Sequence, residues 1–197
     1  MNNLIDRREA LRKTALMMGA AVSASTIAAF LHSCKPATDL NYNPVLFNNG
    51  KAVLVAELAD IIITKTDTPG AKDVGVPGFI DKILKDCYKE EDQKSFLDGL
   101  KEFDENAIKA FGDKFVDGDA SERLKYVQQV HDEAVQAAKS DPSKPRPFIL
   151  KMKELTMLGY FTSEAGATQV LQYQAVPGAY KGCIPLAEAG NGKAWAS

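Results

Sequence analysis

Histidine is almost missing from this chain, with two in 197 residues. One of them, His32, falls in a leading segment that reads as a removable signal, which leaves His131. Cysteine is scarce as well: there are three, none forms a CxxC pair, and no histidine lies near Cys87 or Cys183. Those absences exclude the usual metal-ligand spacings. No GxGxxG is present for a dinucleotide, and no GxSxG elbow surrounds Ser163. The stretch "TDTPGAKDVG" (66–75) lacks the Gly-Lys-Ser/Thr ending of a phosphate loop, and its acids miss the calcium-loop spacing. It reads as a Pro-Gly turn joining two helices. Basic residues do not exceed acidic ones (24 against 26, net charge −2), and no basic stripe occurs, which argues against nucleic acid. No run alternates with period two, and there is no internal repeat. The chain by itself therefore carries no catalytic, cofactor-binding or metal-binding constellation and does not read as an enzyme. His131 is expected as a hydrogen-bonded core or interface histidine, with Asp132 and Glu133 on a solvated face.

What is present is an ordinary globular composition, 45% hydrophobic and 25% charged, enough for one core and one domain. Residues 1–34 stand apart. Arg7, Arg8, Arg12 and Lys13 form a basic start, and residues 15–31 are uncharged and only weakly hydrophobic. Arg7-Arg8 followed by Leu11 and Lys13 resembles a twin-arginine export motif. "LHSC" resembles a loose lipobox, with Cys34 as the lipidation site. The alternative is an amphipathic N-terminal helix with two chance arginines. Without residues 1–33 the net charge is −4. The expected localisation is periplasmic, with membrane attachment only through the signal or a lipid on Cys34. In that oxidising compartment Cys87 and Cys183 can bond to each other, tying the tail to the core. Two unpaired thiols, or a bond to a partner chain, are equally open.

The body reads as all-α: one domain of five or six helices over 51–171, after a linker at 35–50 and before an extended, wrapping tail at 172–197. Helical spacing joins Leu54, Leu58, Ile61 and Ile62, then Val76, Phe79, Ile80, Ile83, Leu84 and Cys87. Pro77 sits where a first helical turn accepts it. A third stripe is Phe96, Leu100, Phe103, Ala107 and Phe111; a fourth is Leu124, Val127, His131, Val135 and Ala138, capped by Asp119 or Ser121. The fifth runs through Phe148, Met152, Leu155 and Leu158. A short sixth, capped by Ser163, carries Val170 and Leu171. The tail is punctuated by Pro177, Gly178, Gly182, Pro185, Gly190 and Gly192.

The segment "MLGYFTSEAG" (157–166) fits neither a plain core helix nor a plain loop, because it sets Tyr160 and Phe161 between Gly159 and Gly166. It reads as a docking corner. The glycines would admit another backbone, and the two aromatics would serve as interface anchors. Burial of both rings in this chain's own core is the competing reading.

"ADIIITKTDTPGAKDVGVPGFIDKIL" (59–84) and "LKMKELTMLGYFTSEAGATQVLQYQAVPGAYKGC" (150–183), together with the twin-arginine start, resemble the gluconate 2-dehydrogenase subunit 3 family. The resemblance covers roughly residues 45–184 and is strongest from Leu155 to Gly166, then at Tyr173, Pro177-Gly178 and Tyr180 to Cys183. Lys65 stands where the family often has proline, while "DTPGA" is intact. The resemblance implies a non-catalytic small subunit. Its large partner binds FAD and oxidises a sugar or polyol, and electrons often pass on to a haem c protein. It also implies a role in export, since a flavin enzyme loaded in the cytoplasm crosses the membrane folded and Arg7-Arg8 can carry both chains. On this reading Gly159, Tyr160, Phe161, Thr162, Ser163, Gly166, Tyr173, Pro177 and Tyr180 face the partner.

Overall fold

The computed structural model describes residues 40–176, 178–179, 182–188 and 192–196. Arg7, Arg8 and Cys34 lie outside the described residues, as do Pro177 and Tyr180. The described chain forms α1 (Asn49–Ile62), α2 (Val76–Cys87), α3 (Glu90–Phe111), a 3-10 turn (Phe115–Asp117), α4 (Ala120–Ser140), α5 (Phe148–Phe161) and a π-turn (Gly166–Val170). Among the described residues there is no strand, only an isolated parallel bridge between Gln172 and Trp195. The all-α expectation holds, with five α-helices among those residues. None of these helices is long and apolar enough to cross a membrane.

Local signals place the helix ends. The Asn48 side chain accepts from the Lys51 N–H (2.9 Å) and caps α1. Gly75, at φ 80°, turns the chain into α2, whose first turn holds Pro77. Three acids, Glu90, Glu91 and Asp92, open α3 where the helix dipole favours them. Gly112, at φ 87°, closes it in the left-handed conformation. Asp119 occupies the cap position of α4.

The described end of the segment expected as a linker, residues 40–48, packs against the helices. Residues 45–47 are held by Asp81 of α2, a carboxylate with no solvent exposure. Its two oxygens accept from the backbone N–H groups of Val45 (2.6 Å), Leu46 (3.0 Å) and Phe47 (2.9 Å). Three charge-assisted bonds offset the cost of burying the carboxylate. They also give partners to amides that no helix satisfies. The strap is thereby pinned across α2. Phe47 enters the core and stacks on Phe96 at 6.2 Å, and the Tyr42 ring lies over Gly78, where a Cβ would come within 3.1 Å of it.

From Phe47 a chain of rings runs through the molecule. Phe96 meets Phe148 (5.1 Å), Phe148 meets Phe103 (5.9 Å), and Phe103 meets both Phe115 and Tyr126 (5.0 Å each). The Tyr126 hydroxyl donates to the Phe103 carbonyl at 2.9 Å. The third stripe is buried as expected from Phe96 to Ala107. Two others are displaced by about one residue. On α4 the buried line is Tyr126, Val127 and Ala134, with Leu124 exposed, because Tyr126 is drawn into the ring cluster. On α5 the line runs Ile149, Met152, Leu155 and Thr156 to Gly159, and Leu158 is 44% exposed. Cys87, placed on the α2 stripe by its spacing, is exposed.

The tail is irregular, yet it closes on its own beginning. Gln172 N–H donates to the Ala194 carbonyl (2.7 Å), and Ala196 N–H donates to the Gln172 carbonyl (2.9 Å). Every described residue from 173 to 195 is exposed, and Lys193 donates from the tail to the Gln169 carbonyl of the π-turn.

Asp81→Ala leaves three strap amides without an acceptor and should cost about 3 kcal/mol or more in urea unfolding, with Asp81→Asn milder because one oxygen remains. Tyr42 gives the complementary test. Its hydroxyl is buried without a partner among the described residues. Burial first, then the neighbouring Asp81 charge, push its phenol from 10.0 up to about 12. A phenol raised on folding holds its proton in the native state while the unfolded chain releases it. Stability is therefore lost as pH rises from 10.0 towards about 12. Tyr42→Phe should leave the neutral-pH midpoint unchanged or higher and reduce that alkaline loss. An equal loss in the variant would exclude Tyr42 as a source.

Candidate docking surface

The two segments most like the family meet in space. The turn after α1 is built on Gly70, where a Cβ would fall 2.7 Å from the Lys65 backbone nitrogen. Gly70 N–H donates to Asp73 Oδ2 (3.1 Å), and Ala71, fully buried, donates to the Ile63 carbonyl (2.9 Å). The tight turn aims the Pro69 carbonyl at α5, where the Tyr160 hydroxyl donates to it at 2.8 Å. Lys65 pairs with Asp73 at 3.5 Å, but both are well exposed and the pair contributes little.

Gly159 and Gly166 do admit a close approach, and the approaching groups belong to this chain. A Cβ on Gly159 would lie 2.6 Å from the Phe79 ring of α2, and one on Gly166 would collide with the Tyr160 carbonyl. Tyr160 is 3% exposed, with its ring edge-on to Phe161 at 5.3 Å. Its hydroxyl is spent on Pro69. Ser163 donates to the Tyr160 carbonyl (2.6 Å) and accepts from the Gly166 N–H (3.1 Å), capping the short turn as its position predicted. Thr162 is exposed and donates back to the Leu158 carbonyl at 2.6 Å.

The same corner presents an outer apolar face. Met157 and Leu158 are 43% and 44% exposed on α5, and Phe161 is half-buried. Beyond the π-turn, Tyr173 and Val176 are exposed, followed in the loop by Ile184, Leu186 and Trp195. Of the residues expected to face a partner, Phe161, Thr162, Ser163 and Tyr173 retain accessible surface, whereas Gly159, Tyr160 and Gly166 are buried.

The electrostatics beneath are structural. Glu57 on α1 accepts from Lys72 Nζ (2.6 Å) and Arg123 Nη1 (2.8 Å), joining the turn and α4 to α1. Burial pushes the nearby Asp60 carboxyl above its usual range, with the Lys72 cation opposing. His131 is half-buried, Nδ1 facing Asp132 (3.2 Å) and Nε2 facing Lys153 Nζ (3.1 Å). Cys87 and Cys183 are both exposed, free thiols here. Among the described residues no three His, Cys, Asp or Glu side chains group as metal ligands.

Asp81, Tyr42 and Tyr126 were not singled out by sequence reasoning. Asp81 had a signal: it interrupts an apolar stripe, between Ile80 and Leu84, on a face that must be buried. Tyr42 had none.

The family model described as gluconate 2-dehydrogenase subunit 3 matches residues 50–178. Searches of the curated proteins and of the solved structures return no match.

Core and interface roles on α5 separate in melting experiments. Tyr160→Ala should destabilise the isolated chain by about 3–5 kcal/mol. Tyr160→Phe should cost about 1 kcal/mol through the lost bond to Pro69. Gly159→Ala should cost about 1–3 kcal/mol by overpacking Phe79, and Phe79→Leu in the same chain should recover part of it. Leu158→Ser should leave the melting midpoint nearly unchanged. A Tyr160→Ala chain that melts like the parent would remove the core assignment.

Proposed function

Since the chain belongs to the gluconate 2-dehydrogenase subunit 3 family, we propose that it is the non-catalytic small subunit of a periplasmic FAD-dependent sugar or gluconate dehydrogenase complex. In this reading it stabilises the flavin subunit and escorts it through twin-arginine export. FAD belongs to the large subunit, and a cytochrome c subunit is a further candidate member of the complex.

The observation that carries the proposal is the division of labour at "MLGYFTSEAG". Tyr160 and Gly159 lock α5 onto α2 and the Pro-Gly turn from inside. Met157 and Leu158, adjacent in sequence, stand outside with much of their surface in water. The exposed loop adds Tyr173, Val176 and Trp195. A rigid helix face next to an aromatic-bearing loop is the make-up of a protein interface: large side chains, with those on the helix already ordered. The escort role is supported by Arg7-Arg8 and the weakly hydrophobic run behind them. Lipidation of Cys34 would hold the complex at a membrane.

The test is co-purification. The tagged chain should carry a larger protein with a flavin spectrum, and Leu158→Ser with Tyr173→Ala should weaken that association by about tenfold or more while the small subunit's melting is unchanged. Arg7→Lys with Arg8→Lys should strand both chains in the cytoplasm. Normal periplasmic dehydrogenase activity in the double-lysine strain would end the escort role. A monomer that never retains a flavoprotein would favour a periplasmic lipoprotein of binding or structural type instead.

A further inference from the structure

A second apolar feature lies beside this face. Between α1, α4 and α5 runs a groove of about 220 Å³. Its floor is Val127 and Ile149, both buried, with Ile61 and Ile62 half-buried at the end of α1. Leu124 stands at the rim, 46% exposed. The volume is below the roughly 300–1,000 Å³ of small-molecule sites and suits a single large side chain.

The polar rim consists of Gln128, His131, Asp132 and Lys153. Lys153 donates to His131 Nε2 at 3.1 Å. That nitrogen must be unprotonated to accept, which leaves the Nδ1–H to face Asp132. Among the described residues the ammonium of Lys153 is thus bonded to a neutral ring and to no carboxylate. Asp132, by contrast, points at the far side of the same imidazole and is largely in water. The lip of the groove therefore offers an exposed ammonium that, among the described residues, bonds only the imidazole, with the Asp132 carboxylate across that ring. The groove is also continuous with the docking face, since Lys153 and Met157 are four residues apart and share one side of α5.

Resting on the reading of the chain as a flavin-subunit partner, we propose that this groove receives an extended segment of that flavin subunit in which a large apolar residue lies close to an acidic one. The apolar side chain fills the space over Val127 and Ile149. The carboxylate pairs with Lys153, which the imidazole holds in place. Apolar burial supplies the affinity, and the charge sets which segment fits and in which direction.

The experiment co-expresses the full-length tagged chain with the flavin subunit and measures flavin retained per tagged chain, and the dissociation constant, at low and high salt. Leu124→Asp places a carboxylate at the groove mouth, and Lys153→Glu reverses the rim charge. Both positions are exposed, so melting should not change. Each variant should weaken the complex by about tenfold or more. Lys153→Arg should bind like the parent, and Lys153→Glu should lose the parent's sensitivity to salt. Parent-like binding by both Leu124→Asp and Lys153→Glu, in a system where the parent retains flavin, would overturn the groove assignment and leave the accessory role standing. Failure of the parent itself to retain flavin would overturn both. Sedimentation of the purified chain as a dimer that Leu124→Asp dissociates would assign the groove to a second copy and reject the proposal.

Discussion

A single buried carboxylate organises this fold. Asp81 collects three consecutive amides from a segment with no secondary structure of its own, and so gives that segment a fixed register. Much depends on the register. It delivers Phe47 to Phe96, seats Tyr42 over Gly78, and leads into the Asn48 cap that starts α1. An apolar side chain at 81 would fill the same space but accept nothing, and the strap amides would face a dry interior without partners. The cost of an unmade buried hydrogen bond exceeds the gain from making an average one, which is why such a group tolerates little substitution.

α2 then links this strap to the rest. On one side it grips the strap through Gly78 and Asp81; on the other its Phe79 fills the space left by Gly159 on α5. The two glycines do matching work, since each removes a side chain so that an aromatic ring can lie against helix backbone. The Pro-Gly turn closes the arrangement by taking the Tyr160 hydroxyl. Glu57 ties the same turn, through Lys72, to α4, through Arg123. The inner side of the turn that resembles a ligand loop in sequence is thus taken up by its own protein, while Lys65 to Asp67 stay exposed.

With its inner face committed, α5 has an outer face whose position is set to within the rigidity of the core. Met157 and Leu158 are held by the packing of Tyr160 and Gly159 behind them, so little ordering cost remains when something covers them. The loop from Tyr173 to Trp195 differs. It is closed at its base by backbone bonds and has no buried side chain along its described length. A partner that covers both surfaces meets one element fixed by the core and one held by its backbone closure and the Lys193 bond to Gln169.

Much of this architecture was legible in one dimension. Apolar spacing located all five α-helices, because a helix that must bury a stripe repeats its large side chains every three or four residues. Pro77, Gly75 and the "DTPGA" turn marked α2's start, and the family match spans "MLGYFTSEAG". The displaced stripes on α4 and α5 show where periodicity stops. Leu124 and Leu158 have the right spacing, and only the three-dimensional competition for the core, won by Tyr126 and by the Phe79–Gly159 contact, puts them outside. The glycines of the signature could be read as room for another backbone; which group fills that room depends on a contact between residues 80 positions apart in the chain, Phe79 and Gly159. The strap lies further still from prediction. Its amides have no pattern, and a lone Asp81 on an apolar face states that something must pair with it without saying what. Sequence by itself determined the helices and the family. Tertiary structure decided which half of each ambiguous segment is core and which is surface, because burial is a property of neighbours that the chain brings together only by folding.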